Sequence, residues 1–133
     1  MFVVINVLAL DEFDGQELLE ALTEQGMTFG EMDIFHRMAE DESTEFSLVN
    51  VVEPGTFNPT KMDQLKTPGV TLFMRAHELP DPIRVYDEMI ETAQKLADGL
   101  GGELRDQSRS VMTSQTIEHL RQGIQDFQYK HSA

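Results

Sequence analysis

Two short apolar runs, Phe46-Ser-Leu-Val-Asn-Val-Val52 and Val70-Thr-Leu-Phe-Met74, constrain this chain more than any other feature. Each is β-branched or aromatic in character. Turn residues bound them: Glu53-Pro-Gly-Thr-Phe57 follows the first and Thr67-Pro-Gly69 precedes the second. Each therefore predicts a strand. Successive strand side chains point to opposite faces. In the second run Val70, Leu72 and Met74 share one face, and Thr71, Phe73 and Arg75 the other. In the first, Phe46, Leu48 and Val52 oppose Ser47, Val49 and Val51. Large apolar groups thus stand on both faces of both strands. A sheet covered on one side should alternate apolar with polar residues more cleanly, so the second face needs a cover.

The remaining elements follow from period and punctuation. Phe2 to Leu10 reads as a central strand and Asp11 to Asp14 as an acidic loop. A helix starts at Asp14 or Gly15, with Glu17 at the positive end of its dipole, buries Leu18, Leu19 and Leu22, and stops at Gly26. Met27 to Arg37 is strand-like, with Met32, Ile34 and Phe35 as its apolar content, and Ala39 to Thr44 is a polar hairpin loop. Asn58 to Asp63 suggests one helical turn. Asp81-Pro82 opens a helix whose stripe runs Tyr86, Met89, Ile90, Ala93, Leu96, Ala97 and Leu100, and the glycines from Gly99 to Gly102 end it. Glu103 to Asp106 and Ser110 to Thr113 are short strand candidates. Thr113 or Ser114 caps a last helix with the stripe Ile117, Leu120, Ile124 and Phe127.

The order is β-α-β-β-β-α-β-β-α, in one domain spanning residues 1–133. Short connections favour antiparallel pairing. Three one-sided helices can cover one face of such a sheet. The expected fold is α+β: a six-stranded, mainly antiparallel sheet with three helices packed on one face and the other face exposed. A bare apolar face of that size marks an interaction site.

Composition removes several classes of function. Ten basic against 24 acidic side chains leave a formal charge of −14, which argues against nucleic acid or an anionic membrane surface as partner. The absence of cysteine excludes disulfides, thiolate metal sites and a Cys nucleophile. The apolar start from Met1 to Leu10 is too short to span a bilayer and lacks the basic region of a secretion signal. His36, His77, His119 and His131 show no metal-ligand spacing. Acidic pairs such as Asp11-Glu12 lie in loops, and Gly99-Leu-Gly101-Gly102 closes a helix instead of opening one on a phosphate. No catalytic residues, metal or cofactor are therefore expected. The eight methionines point instead to an adaptable surface, Met32 being open to either a core or a surface place.

Several blocks together resemble a known family. These are Val4-Ile-Asn-Val7, Phe29-Gly-Glu-Met-Asp-Ile-Phe-His-Arg37, Phe46-Ser-Leu-Val-Asn50, Pro54-Gly-Thr-Phe57, Thr67-Pro-Gly-Val-Thr-Leu-Phe-Met74, Gly101-Gly102 and Val111-Met-Thr113. They resemble, in register over nearly the whole chain, the C-terminal FtsZ-binding domain of ZipA, a bacterial cell-division protein. The resemblance implies a sheet whose bare face forms a shallow apolar groove for the C-terminal tail peptide of FtsZ, the tubulin-like division protein. Carried over by position, the peptide-binding residues are Phe2 and Val4 on the first strand and Met32 and Ile34 on the second, with Val49, Val51, Thr71 and Phe73 at the centre and Arg109 at one end.

The resemblance also implies a non-enzymatic adaptor that helps tether and stabilise the division ring. It places the domain at the cytoplasmic face of the bacterial inner membrane, monomeric and without direct membrane contact, through an N-terminal anchor and linker absent from this chain. Glu53 stands where a family member has a lysine beside the groove, and the Glu42 loop is more acidic. Two alternatives remain: a structural homodimer burying the same sheet face, and an enzyme or small-molecule binder with a pocket near His36 and Arg37.

Overall fold

The computed structural model describes residues 1–131. Along the chain come β1 (Phe2–Asp14), α1 (Gly15–Glu24), β2 (Thr28–Phe29), β3 (Phe35–Met38), β4 (Thr44–Asn50), β5 (Lys66–Arg75), α2 (Pro82–Leu100), β6 (Gly102–Arg105) and α3 (Ser114–His131). The six strands form one sheet in the order β2-β3-β4-β5-β1-β6, with every neighbouring pair antiparallel. The helices occupy one side. α2 lies across β1 and β6, α1 packs beside it, and α3 rests on α2. This is the α+β layout expected from the sequence.

Helix starts follow local chemistry. Asp14 accepts from the Glu17 amide at 3.1 Å and Asp81 from the Arg84 amide at 3.3 Å. Thr113 Oγ1 accepts from the Thr116 amide at 3.2 Å. Each satisfies a backbone donor that the first turn leaves without a partner. Gly101 ends α2 with a φ of 78°, a conformation that costs a side-chain-bearing residue more.

The core lies between helices and sheet. Val3, Ile5 and Val7 of β1, Val70, Leu72 and Met74 of β5, and Phe46 and Leu48 of β4 are all buried in it. Leu18 and Leu22 of α1 and Val85, Tyr86, Met89, Ala93 and Leu96 of α2 close it from above. The Tyr86 hydroxyl donates to the Ile117 carbonyl at 2.8 Å and fixes α3 against α2.

Four expectations need correction. The strand read over Met27 to Arg37 is two strands, β2 and β3, separated by a tight turn at Glu31–Asp33. Met32 and Ile34 therefore do not lie on a strand. Phe29 and Phe57 both pack edge-on against Phe35, at 5.5 and 5.2 Å between ring centres, and this cluster draws the two ends of the segment together. The acidic stretch Asp11 to Asp14 is not a loop. β1 bulges between Leu8 and Phe13 and then resumes its pairing at Phe13↔Thr67, because Phe13 is buried in the core. The strand expected at Ser110 to Thr113 reduces to a single bridge, Val111 to Arg105. Val52 does not join Phe46 and Leu48: β4 ends at Asn50, whose side chain accepts from Thr67 Oγ1 at 2.6 Å, and Val52 is 46% exposed in the following turn.

Both outer strands are short. β2 has two residues and β6 four. The outer side of β6 is met by Val111 and by the Met112 amide, which donates to the Leu104 carbonyl at 3.0 Å.

Two predictions follow from the β1–α1 junction. A Cβ on Gly15 would sit 2.1 Å from the Met62 carbonyl oxygen, so Gly15→Ala should destabilise the domain by about 1–3 kcal/mol in urea titration. The Glu17 amide and then the Lys66 ammonium, 3.2 Å away, hold the Asp14 carboxyl below its ordinary pKa. A depressed folded-state pKa stabilises fully above the unfolded value of about 3.9 and is lost as pH falls through the folded one. Asp14→Ala should therefore lower the urea midpoint at neutral pH, and the gap should close in acid.

The uncovered sheet face as candidate functional site

Antiparallel register sets the far face of the sheet out in rows. One row is His36, Ser47, Phe73 and Val4; the next is Val49, Thr71, Asn6 and Arg105. Phe2 and Arg75 stand opposite each other beyond the first row, and Leu8 stands opposite Gly69 and Glu103 beyond the second. Val51, which donates its amide to the Gly69 carbonyl at 3.1 Å, follows the end of β4 there. Val4, Leu8, Val49, Val51, Thr71 and Phe73 are partly exposed, while their neighbours in the strands, Val3, Val7, Leu48, Val70 and Leu72, are buried. Within β1, β4 and β5 the parity assigned from the sequence is the parity of the structure.

Several details shape this face. Phe2 is 57% exposed. Its ring lies 6.3 Å from that of Phe73, and the Arg75 guanidinium sits over it at 5.4 Å. A Cβ on Gly69 would meet Leu8 Cδ2 at 2.7 Å, so the bare glycine lets Leu8 lie down across β5. Asn6 is the polar residue in the midst of the strip. Its oxygen accepts from Thr71 Oγ1 at 2.6 Å and its amide donates to the Asp106 carbonyl at 3.0 Å, so neither needs water.

At one flank the Glu31–Asp33 turn rises beside the sheet. Met32 is 79% exposed, whereas Ile34 is 5% exposed yet stands outside the main core cluster. With His36, Ser47, Phe73 and Arg75 they line a cavity of about 160 Å3. At the other flank Arg105 pairs with Glu103 at 2.9 Å and donates to the Arg109 carbonyl at 3.0 Å, which places the exposed Arg109 beside β6.

The structure thus brings Val4, Val49, Thr71 and Phe73 together in the centre, with Phe2 at an end and Val51 just past β4. Met32 and Ile34 wall one side, from a turn instead of a strand, and Arg109 stands at the other. Sequence reasoning missed Asn6 and Leu8, although both share the parity of Phe2 and Val4 on β1. It also missed Ser47, Arg75 and the place of His36.

His36 and Arg37 point to opposite faces. His36 lies on the open side. Arg37 lies beneath the helices, 4.9 Å from the Phe46 ring. It donates to the Gln25 carbonyl and to Thr92 Oγ1, and pairs with Glu88 at 3.5 Å. The two cannot share a pocket, which corrects the small-molecule alternative. Among the described residues no three His, Asp or Glu side chains converge as a metal site.

Residues 1–123 match the family described as ZipA, C-terminal FtsZ-binding domain. The chain belongs to this family. It is 46% identical over 132 residues to the cell division protein ZipA of Marinobacter nauticus, covering 96% of this chain and 39% of that one. It is 46% identical over 130 residues to that of Ectopseudomonas mendocina, covering 94% and 48%, and 46% identical over 128 residues to that of Pseudomonas aeruginosa, covering 92% and 44%. The chain spans less than half the length of these ZipA relatives. The ZipA family is one of cell-division adaptors, a non-enzymatic kind of protein.

The two faces should separate cleanly in mutational cost. Leu72→Ala should destabilise by about 2–5 kcal/mol, as a large-to-small change in a sealed core. Phe73→Ala, one residue away but partly exposed on the open face, should cost under about 1.5 kcal/mol. Urea titration of both variants measures the difference.

Proposed function

We propose that residues 1–133 act as a single FtsZ-binding domain that seats the C-terminal tail peptide of FtsZ on the open sheet face. The observation that carries this reading is the strip Val4, Phe73, Val49 and Val51, partly exposed on the side away from all three helices. Family membership supplies the partner.

Binding is driven by apolar burial. At about 25 cal/mol per Å2, opposed by peptide ordering and lost translation, an affinity on the order of micromolar results. Phe73 and Phe2 form an aromatic anchor pair, and aromatic side chains dominate interfaces of this kind. Met32 and Ile34 close one side and Arg109 the other; Thr71 continues the floor. Charge contributes little. Arg75 already pairs with Glu78 at 3.7 Å and Arg105 with Glu103, while Glu53 is exposed next to Val52 at the end of the strip.

In the cell the domain works as a monomeric adaptor at the cytoplasmic face of the inner membrane, coupling the division ring to an anchor and linker carried elsewhere in the longer protein. No described helix is long and apolar enough to cross a membrane.

Titration with an FtsZ C-terminal peptide, followed by backbone amide shifts, should move residues of the strip and leave α2 and α3 unmoved. Phe73→Ala should weaken binding by about 1–3 kcal/mol. Salt screens exposed charges but not apolar burial, so affinity should change little between low salt and about 0.5 M. A stable dimer in sedimentation that ignores the peptide would overturn the reading and assign the face to a second copy.

A further inference from the structure

We propose that His36 is a positioning residue for peptide binding. It bridges β4 to the Glu31–Asp33 turn and so holds Met32 upright as a wall of the groove. The inference rests on the peptide-binding reading above.

The turn is costly as it stands. Met32 and Asp33 are consecutive non-glycine residues with φ of 64° and 59°. Left-handed backbone costs such residues about 1 kcal/mol or more each. Met32 recovers none of this by burial, since its side chain is 79% exposed. A strained backbone that lifts a greasy, adaptable side chain into water has no rationale in folding, but it has one at a binding surface.

The fastenings of the turn show what holds it. Its ends are tied by the backbone: Gly30 N–H to the Ile34 carbonyl at 3.0 Å and Phe57 N–H to the Asp33 carbonyl at 2.8 Å. Its crest is tied by a side chain. His36 Nε2 lies 2.9 Å from the Glu31 carbonyl oxygen, one residue before Met32. A carbonyl can only accept, so Nε2 carries the hydrogen. Nδ1, 2.8 Å from Ser47 Oγ, is then free to accept the serine hydroxyl. Ser47 is 4% exposed and stands opposite Phe73 in the sheet. The imidazole is therefore anchored in the groove floor and reaches up to the wall. It lines the same cavity as Met32, Ile34 and Phe73.

The test is a double-mutant cycle, read by titration of an FtsZ C-terminal peptide and by NMR of the free protein. His36→Ala should weaken binding about five- to tenfold and shift the Met32 methyl and the amides of residues 31–33. His36→Gln, whose amide N–H can still reach the Glu31 carbonyl, should restore most of both. In a Met32→Ala background, His36→Ala should cost nothing more, because it acts through Met32. Wild-type affinity in His36→Ala, or losses that multiply in the double variant, would overturn the proposal. Should His36→Ala fail to fold, Ser47→Ala, which removes the anchor of the imidazole, carries the same cycle. Should the wild-type protein ignore the peptide, the peptide-binding reading falls. Free-protein spectra then decide this one: unchanged Met32 resonances in His36→Ala and Ser47→Ala overturn the positioning role, and shifted ones uphold it.

Discussion

One mismatch governs this molecule: its central strands are apolar on both sides, and its helices can seal one side. β1 and β5 pair through most of their length, so Val3, Ile5, Val70 and Leu72 face α1 and α2 while Val4 and Phe73 face away. The helical layer is then locked where it is. Arg84 of α2 grips Glu45 of β4 and Glu88 of its own helix, and Arg37 of β3 reaches Gln25, Thr92 and Glu88. These clasps tie the β3–β4 half of the sheet to the helices. They leave no helix to spare for the second face.

What could be read from residues alone was what local period encodes. The parity of β5 came directly from Val70 to Arg75, because in a strand it repeats every two residues. The starts of the three helices came from Asp14, Asp81-Pro82 and Thr113, whose side chains close the first turn. What could not be read depended on partners distant in sequence. The break between β2 and β3 is held by Phe29 and by the distant Phe57 packing on Phe35, and within residues 27–37 only Gly30 hints at it. Phe13 returns to the sheet after exposed Leu10, Asp11 and Glu12 because a core site awaits it. At the site, parity grouped the central residues on one face, and the family resemblance said which face was the bare one. The roles of Asn6, Ser47 and His36 were not legible, since each is defined by a hydrogen bond to a segment far along the chain or across a turn.

An uncovered apolar face has to live in water between encounters. Here the polar atoms within it are already paired: Asn6 with Thr71 and the Asp106 carbonyl, Ser47 with His36. A ligand can then cover the strip without stripping water from an unsatisfied donor or acceptor, a penalty that often cancels the gain of burial. The strip is also only partly exposed residue by residue, because Leu8 lies over Gly69 and Phe2 leans on Phe73 and Arg75.

The shortness of β2 and the docking of Val111 and Met112 along β6 acquire a meaning in this light. A protein with a greasy sheet surface and two long free borders would be a seed for stacking its own copies into ribbons. With one border trimmed to two residues and the other hemmed by its own chain, growth by strand addition has nowhere to begin. The stickiness is confined to a direction in which a visitor can dock but a fibril cannot lengthen.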